Sequence, residues 1–174
     1  MMSRFKMTDI GLLSYYLGME VKQLENEITI CQSSYVAKIV EECQMTGCSS
    51  IDTPMEQIIK LSTTKKGTER DVTRYRSIIG SLRYLVNTRH DLTFAVGLVS
   101  RFMEAPSKEH WCAIKRIVRY IAGTLDYGVR LNKGGVKLLL LGYTDSDCLG
   151  DLVHRKSTSD ILFFLGMNLV NWLS

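Results

Sequence analysis

The sequence predicts an α+β chain, on three observations. Apolar side chains alternate with period two near the N-terminus and again after residue 128. Between these stretches they recur at i, i+3, i+4 and i+7, the spacing of one helix face. A polar stretch, Ser62-Thr-Thr-Lys-Lys-Gly-Thr68, separates the first strands and helix from the remainder of the chain. Strands, a helix, a linker, three helices and strands again argue for segregated helices and antiparallel sheet in at least two structural units.

Each element has its own signal. Ser14-Tyr-Tyr-Leu-Gly-Met-Glu-Val-Lys22 and Glu27-Ile-Thr-Ile-Cys31 flank a polar break at Glu25-Asn26 and read as a β-hairpin. Ser33 or Ser34 can cap a helix whose apolar stripe is Val36, Ile39, Val40 and Cys43, with Gly47 where a helix stop is expected. Asp52-Thr-Pro54 is extended or a turn, because Pro disfavours helix at the residue before it. Residues 57–70 read as a flexible linker. The first central helix carries Tyr75, Ile78, Ile79, Leu82, Leu85 and Val86 on one face. The second runs from Asp91, a candidate N-cap, through Phe94, Leu98 and Phe102 to Met103. Ser107 can cap the third, and Glu109 favours its first turn. Its apolar face is Trp111, Ile114, Ile117, Val118 and Ile121, with Lys115, Arg116 and Arg119 projecting on the other side. Gly128-Val-Arg-Leu131 and Val136-Lys-Leu-Leu-Leu-Leu-Gly-Tyr143 flank Asn132-Lys-Gly-Gly135 and read as a hairpin. Ile161-Leu-Phe-Phe-Leu165 and Leu169-Val-Asn-Trp172 flank Gly166-Met-Asn168 and read as another.

Composition narrows the class. The 174 residues are 45% hydrophobic and 23% charged, enough apolar side chain for a core. Two Pro and 13 Gly exclude collagen-like or linker-like chains. No apolar run approaches the roughly 20 residues of a membrane span. Met1-Met2-Ser3-Arg4-Phe5-Lys6 leads into no apolar segment of a signal peptide. The expectation is an intracellular protein, in cytoplasm or nucleus. Five Cys (Cys31, Cys43, Cys48, Cys112, Cys148) without a C-x-x-C pair argue against a disulfide framework and a zinc ribbon.

The net charge of +4 is unevenly placed. Residues 70–120 hold ten Lys/Arg against four acids, a net +6. Residues 1–69 hold seven against nine, and residues 121–174 hold five of each. A basic segment between flanks with no positive excess points to an anionic partner, most often nucleic acid. A solvated, Arg-rich helical surface would give the same count.

Chemical motifs are few. There is no phosphate-binding G-x-x-x-x-G-K-[ST], no G-x-G-x-x-G and no G-x-S-x-G. His90, His110 and His154 are scattered and read as surface or capping residues. Tyr143-Thr-Asp-Ser-Asp147 closes an apolar strand, with Asp151 soon after. Mg²⁺-dependent phosphoryl chemistry often places a carboxylate there, and it needs carboxylates from more than one element. The alternative is an Asp-rich turn whose side chains satisfy backbone N–H groups.

Several longer strings carry a family resemblance. Phe5-Lys-Met-Thr-Asp-Ile-Gly-Leu-Leu-Ser-Tyr-Tyr-Leu-Gly-Met-Glu-Val21 resembles the segment just after the catalytic aspartates in copia-type LTR retrotransposon reverse transcriptases. Tyr75-Arg-Ser-Ile-Ile-Gly-Ser-Leu-Arg-Tyr-Leu85, Asn87-Thr-Arg-His-Asp-Leu92 and His110-Trp-x-Ala-x-Lys-Arg-Ile-x-Arg-Tyr-Ile-x-Gly-Thr124 resemble the downstream helices of that family. Gly142-Tyr-Thr-Asp-Ser-Asp147, Gly150-Asp151 and Arg155-Lys-Ser-Thr-Ser159 resemble the opening of the attached RNase H domain. The resemblance runs from about residue 4 to residue 174, in the family's order.

The resemblance implies four segments. Residues 1–56 would be the end of the palm, with a primer-grip-like hairpin and the helix after it, and residues 57–70 a linker. Residues 71–124 would be a thumb- or connection-like helical region, and residues 125–174 an incomplete RNase H-like antiparallel sheet. It implies an RNA–DNA hybrid or duplex as partner, bound weakly and without sequence preference by Arg74, Arg76, Arg83, Lys115, Arg116 and Arg119. Asp145 matches the first RNase H carboxylate, a Mg²⁺ ligand in the intact enzyme, although no stably bound cofactor is expected here. The family's Y-V-D-D motif does not occur in the chain. Cys148-Leu149 stand where Trp-Ala is usual, His90 where Pro is usual and Asp160 where Gly is usual. The expectation is a segment inactive by itself that still binds template–primer and can self-associate through its last strands. The alternatives are a repurposed protein-interaction or effector-like module, and a subunit active only when another chain supplies the missing parts.

Overall fold

The computed structural model describes residues 11–56, 69–134, 139–147 and 158–173. The described residues form helices and antiparallel sheets, an α+β fold. β1 (Tyr15–Tyr16), β2 (Met19–Gln23), β3 (Glu27–Cys31) and β4 (Gly128–Asn132) form one sheet in that order, every pair antiparallel. The predicted β2–β3 hairpin is present, with Val21 opposite Ile30 and Gln23 opposite Ile28. β1 is an addition. Its turn to β2 runs through Leu17 and Gly18, at φ of +48° and +79°. Positive φ at both turn residues is the pattern of a type I′ hairpin, and Gly18 meets it without strain. The Tyr84 hydroxyl donates to the Leu17 carbonyl and ties this turn to the helices.

α1 (Ser33–Glu42) buries Val36, Ile39 and Val40, as its stripe predicts. Its N-cap is Gln32, not Ser33 or Ser34, and Gln32 makes no side-chain cap bond. The Glu20 carboxylate on β2 instead accepts from the Ser34 N–H at 2.9 Å. That bond holds the Glu20 carboxyl below its usual range, aided by the Ser34 hydroxyl and by Lys22 against a smaller opposing effect of burial. The stop also comes earlier than Gly47. Gln44 adopts φ +57°, and the Met45 N–H returns to the Val40 carbonyl.

α2 (Glu69–Leu85) buries Tyr75, Ile78, Ile79, Leu82 and Leu85. Of the expected linker, residues 57–68 lie outside the described residues, and Glu69 and Arg70 already belong to this helix. A 3₁₀ turn (His90–Leu92) leads into α3 (Thr93–Ser100). α3 is shorter than predicted at both ends, and Asp91 is not its cap. The Asp91 carboxylate is engaged by Arg89 instead. α4 (Lys108–Gly123) starts as expected. Ser107 Oγ accepts from the His110 N–H, and His110 Nδ1 accepts from the Ser107 N–H, a reciprocal capping box. The four helices share one apolar core in which Tyr75, Ile79, Leu82, Leu85, Val99, Ile117, Val118 and Ile121 are fully buried.

The expected hairpin between residues 128–131 and 136–143 does not form. β4 returns to the edge of β3, pairing Val129 with Ile30 and Leu131 with Ile28. β-Branched and aliphatic residues match in register there, and Gly128 permits the approach. A Cβ on Gly128 would lie 2.2 Å from the Ile30 carbonyl oxygen. β5 (Leu140–Asp147) pairs with β6 (Thr158–Leu165), and β6 with β7 (Asn168–Leu173), in a second antiparallel sheet. The β6–β7 hairpin is the predicted one. Residues 125–174 therefore contribute to both sheets. The Asn168 side chain joins them, accepting from the Asn132 N–H at 2.7 Å and donating to the Asn132 carbonyl at 2.9 Å. Among the described residues no helix is long and apolar enough to cross a membrane.

Candidate nucleic-acid interface

The six predicted cations do not act as one face. Arg116 on α4 reaches back to the segment after α1, with Nη1 2.7 Å from Glu56 Oε1 and Nη2 2.9 Å from Thr53 Oγ1. Arg119, one turn on, donates through Nε to the Ser49 carbonyl at 2.8 Å. Both guanidiniums fasten residues 49–56 onto α4. Arg76 on α2 donates to the Met103 carbonyl at 2.9 Å and steadies the chain leaving α3. Arg83 and Lys115 are exposed and, among the described residues, have no polar partner. Arg74 is exposed and holds the Glu42 carbonyl only loosely, at 3.4 Å.

Arg74 and Lys115 come together with Lys108, a cation that no sequence motif singles out. They line a cleft of about 460 Å³ between the end of α1, α2 and α4. Met45, Ile78, Trp111, Ile114 and Val118 supply its apolar surface, and Cys43 and Cys112 complete it. No carboxylate is among these residues. Trp111 is half-buried, its indole edge-to-face with the Tyr75 ring at 5.4 Å. Burial, with a smaller push from Glu42, raises the Cys43 thiol to about 11, so it packs as a neutral group and is no nucleophile. A signal for Lys108 does exist in the sequence. A cation in a helix's first turn opposes the helix dipole, so its placement there calls for a reason outside the helix.

A second polar cluster is invisible to sequence spacing. Arg89 is only 1% exposed. Its Nε and Nη2 fork onto the Asp91 carboxylate at 3.0 and 2.8 Å, and Nη1 and Nη2 donate to the Thr124 carbonyl and hydroxyl, each at 2.8 Å. The Tyr120 hydroxyl donates to the same carboxylate at 2.8 Å. Burial alone would raise the Asp91 pKa, but the Arg89 bonds and charge outweigh it and hold the carboxyl below its ordinary range. The cluster locks the 3₁₀ turn to the end of α4, and Asp91 and Tyr120 also line a cleft of about 390 Å³ beside His90 and Arg130.

Asp145 is exposed on β5, directly opposite Asp160 on β6. Asp160 Oδ1 is buried without a partner. Two acids face to face repel, and a two-metal nuclease centre draws carboxylates from several elements. Among the described residues no group of three or more His, Cys, Asp or Glu is placed to hold a metal ion. The described surroundings of Asp145 therefore do not fit a Mg²⁺ centre.

The sequence is similar to those of known proteins. The family described as reverse transcriptase (RNA-dependent DNA polymerase) matches residues 1–57. The retrovirus-related Pol polyprotein from transposon RE2 of Arabidopsis thaliana is 38% identical over 172 residues, covering 98% of this chain and 12% of the polyprotein. That from transposon TNT 1-94 of Nicotiana tabacum is 39% identical over 180 residues, covering 98% of this chain and 13% of the polyprotein. The secreted RxLR effector protein 161 of Plasmopara viticola is 44% identical over 101 residues, 58% of this chain and 70% of that protein. No solved structure matches. With such identity sustained across nearly its whole length, the chain belongs to the copia-type retrotransposon Pol family, as a reverse-transcriptase-like segment of the polyprotein.

Proposed function

We propose that the chain holds RNA–DNA hybrid or duplex through its phosphates and neither extends a primer nor cleaves RNA by itself. The observation that carries this reading is the cleft lined by Arg74, Lys108 and Lys115 without a carboxylate. Cations that neutralise phosphates release counterions and give binding that is strong at low salt and indifferent to sequence. A hybrid is recognised by its backbone and shape, so few base-reading groups are needed. Arg76, Arg116 and Arg119 support the interface by building it. The lack of catalysis rests on the missing Tyr-Val-Asp-Asp string and on the absence, among the described residues, of a group of three or more potential metal ligands. In this reading β1–β3 are the primer-grip-like hairpin with its extra strand, the helices are thumb- and connection-like, and β5–β7 open an RNase H-like unit.

The test is fluorescence anisotropy of a labelled RNA–DNA hybrid across a salt series, with nucleotide incorporation assayed in parallel. The reading expects affinity that falls steeply with salt and no incorporation above a mock-purified control. Salt-independent binding, or extension of the primer, would overturn it. A second reading, a protein-interaction module, is favoured by exposed apolar residues on the second sheet and its turns. Leu139, Leu140, Leu141 and Tyr143 are exposed, and Met167 is 87% exposed. The similarity to a secreted effector points the same way. Apolar association of that kind would be insensitive to salt.

A further inference from the structure

We infer that the cleft between α1, α2 and α4 accepts a single unpaired nucleotide, its base against Trp111 and its phosphate on Lys108, Lys115 and Arg74. The preferred ligand is then a hybrid or duplex with a single-stranded end, not a blunt one. This rests on the nucleic-acid reading above and adds the form of the ligand.

Shape is the first argument. The phosphates of a duplex lie on a convex rod, and cations that only track that rod have no use for a concavity. The three cations here instead line a recess of about 460 Å³, within the roughly 300–1,000 Å³ range of pockets that enclose small ligands. A stack of base pairs cannot enter such a recess, but one splayed nucleotide can.

Surface chemistry is the second. Beside the cations the accessible apolar surface is that of Trp111 and Met45, with the buried Ile78, Ile114 and Val118 closing the cleft toward the core. Phosphate contacts gain nothing from such walls, whereas a nucleobase presents a flat π-face that buries against indole and aliphatic surface. Tyr75 packs edge-to-face with Trp111 at 5.4 Å and fixes the indole plane, so little side-chain freedom is lost on binding.

Charge is the third. Glu42 is the acid beside the α1 end of the cleft, next to Cys43, which directs an anion toward α4, where Lys108 and Lys115 stand. The loose 3.4 Å contact of Arg74 with the Glu42 carbonyl leaves its guanidinium able to turn to the same phosphate.

The experiment compares a blunt RNA–DNA hybrid with the same hybrid carrying a short single-stranded overhang, using the full chain. The overhang should bind roughly tenfold tighter, the size of one stacked base. Trp111→Ala should abolish that difference. Trp111→Phe, which keeps a ring against Tyr75, should retain part of it and covers the case in which the alanine variant fails to fold. The chain has two Trp, so in a Trp172→Phe background the emission reports Trp111 alone, and the overhang should quench it in a saturable way. Equal affinity for blunt and overhanging hybrids, with Trp111 emission unchanged, would overturn the inference and leave phosphate binding standing. An overhang preference that survives Trp111→Ala would also overturn it. Failure of every oligonucleotide to bind at low salt would overturn the inference together with the reading beneath it.

Discussion

His110 and Arg89 show how much of this molecule's stability rests on single polar side chains. His110 is fully buried, stacks on Phe102 at a ring distance of 3.9 Å and closes the α4 capping box through Nδ1. Accepting there requires the neutral ring, and burial lowers its pKa below the ordinary 6.5 with only a weak opposing pull from Glu109. Because the folded value lies below the unfolded one, the contribution is complete above about 6.5 and is lost as pH falls toward and past the folded value. Chemical denaturation at pH 7.5 and at pH 5 should therefore show a loss of stability on acidification, smaller in His110→Gln. Arg89 is the more severe case. Asp91→Ala would leave its guanidinium buried with only Thr124 to satisfy it, at a cost of about 3 kcal/mol or more. Urea unfolding measures this directly. The sequence pattern marked His110 as a surface or capping residue and Asp91 as a candidate N-cap. The capping role of His110 is present because a cap is a local interaction, but the ring is fully buried and not on the surface. The N-cap reading failed because the partners of Asp91, Arg89 and Tyr120, meet it through a tertiary fold that no spacing rule encodes.

Among the elements, apolar periodicity was informative and pairing was not. The helix faces of α2 and α4, the β2–β3 hairpin and the β6–β7 hairpin could all be read from the residues alone. Each is set by contacts within a few turns or across one short loop. β4 was assigned to the wrong partner, since alternation says that a strand exists and not which edge receives it. Gly128 is the residue that records the true partner. Gly128→Ala would drive a Cβ into the Ile30 carbonyl at 2.2 Å, and such overpacking costs about 1–3 kcal/mol. The thermal midpoint should fall accordingly. The β5 edge carries a second prediction. β6 is its neighbour among the described residues, and it exposes Leu140, Leu141 and Tyr143. Apolar edges of this kind pair with other chains. Sedimentation should show association that rises with concentration and is weakened by Leu141→Lys. Unchanged association in that variant would count against β5 as the contact.

For the whole molecule, the excess positive charge and most of the apolar core occupy the same stretch of chain, α2 to α4. Charge alone pointed to that stretch but could not divide its cations into those that face solvent and those that build the fold. That division required the loop 49–56, which passes over α4 and takes up Arg116 and Arg119. Lys108, marked in the sequence only by its unfavourable place in a helix's first turn, lines the cleft with Arg74 and Lys115 instead. The core and the second sheet should also differ in stability. α2 is held by fully buried side chains, whereas β6 and β7 bury theirs only in part. Amide exchange should accordingly be slower over residues 75–85 than over residues 160–172. The most direct test of the central claim is the salt dependence of hybrid binding in two triple variants. Changing Arg74, Lys108 and Lys115 to Ala should reduce the magnitude of the log–log slope by up to about 3, with the thermal midpoint little changed. Changing Arg76, Arg116 and Arg119 to Ala should lower the midpoint and leave the slope close to that of the parent. A slope that moves with the second set and not with the first would contradict the account.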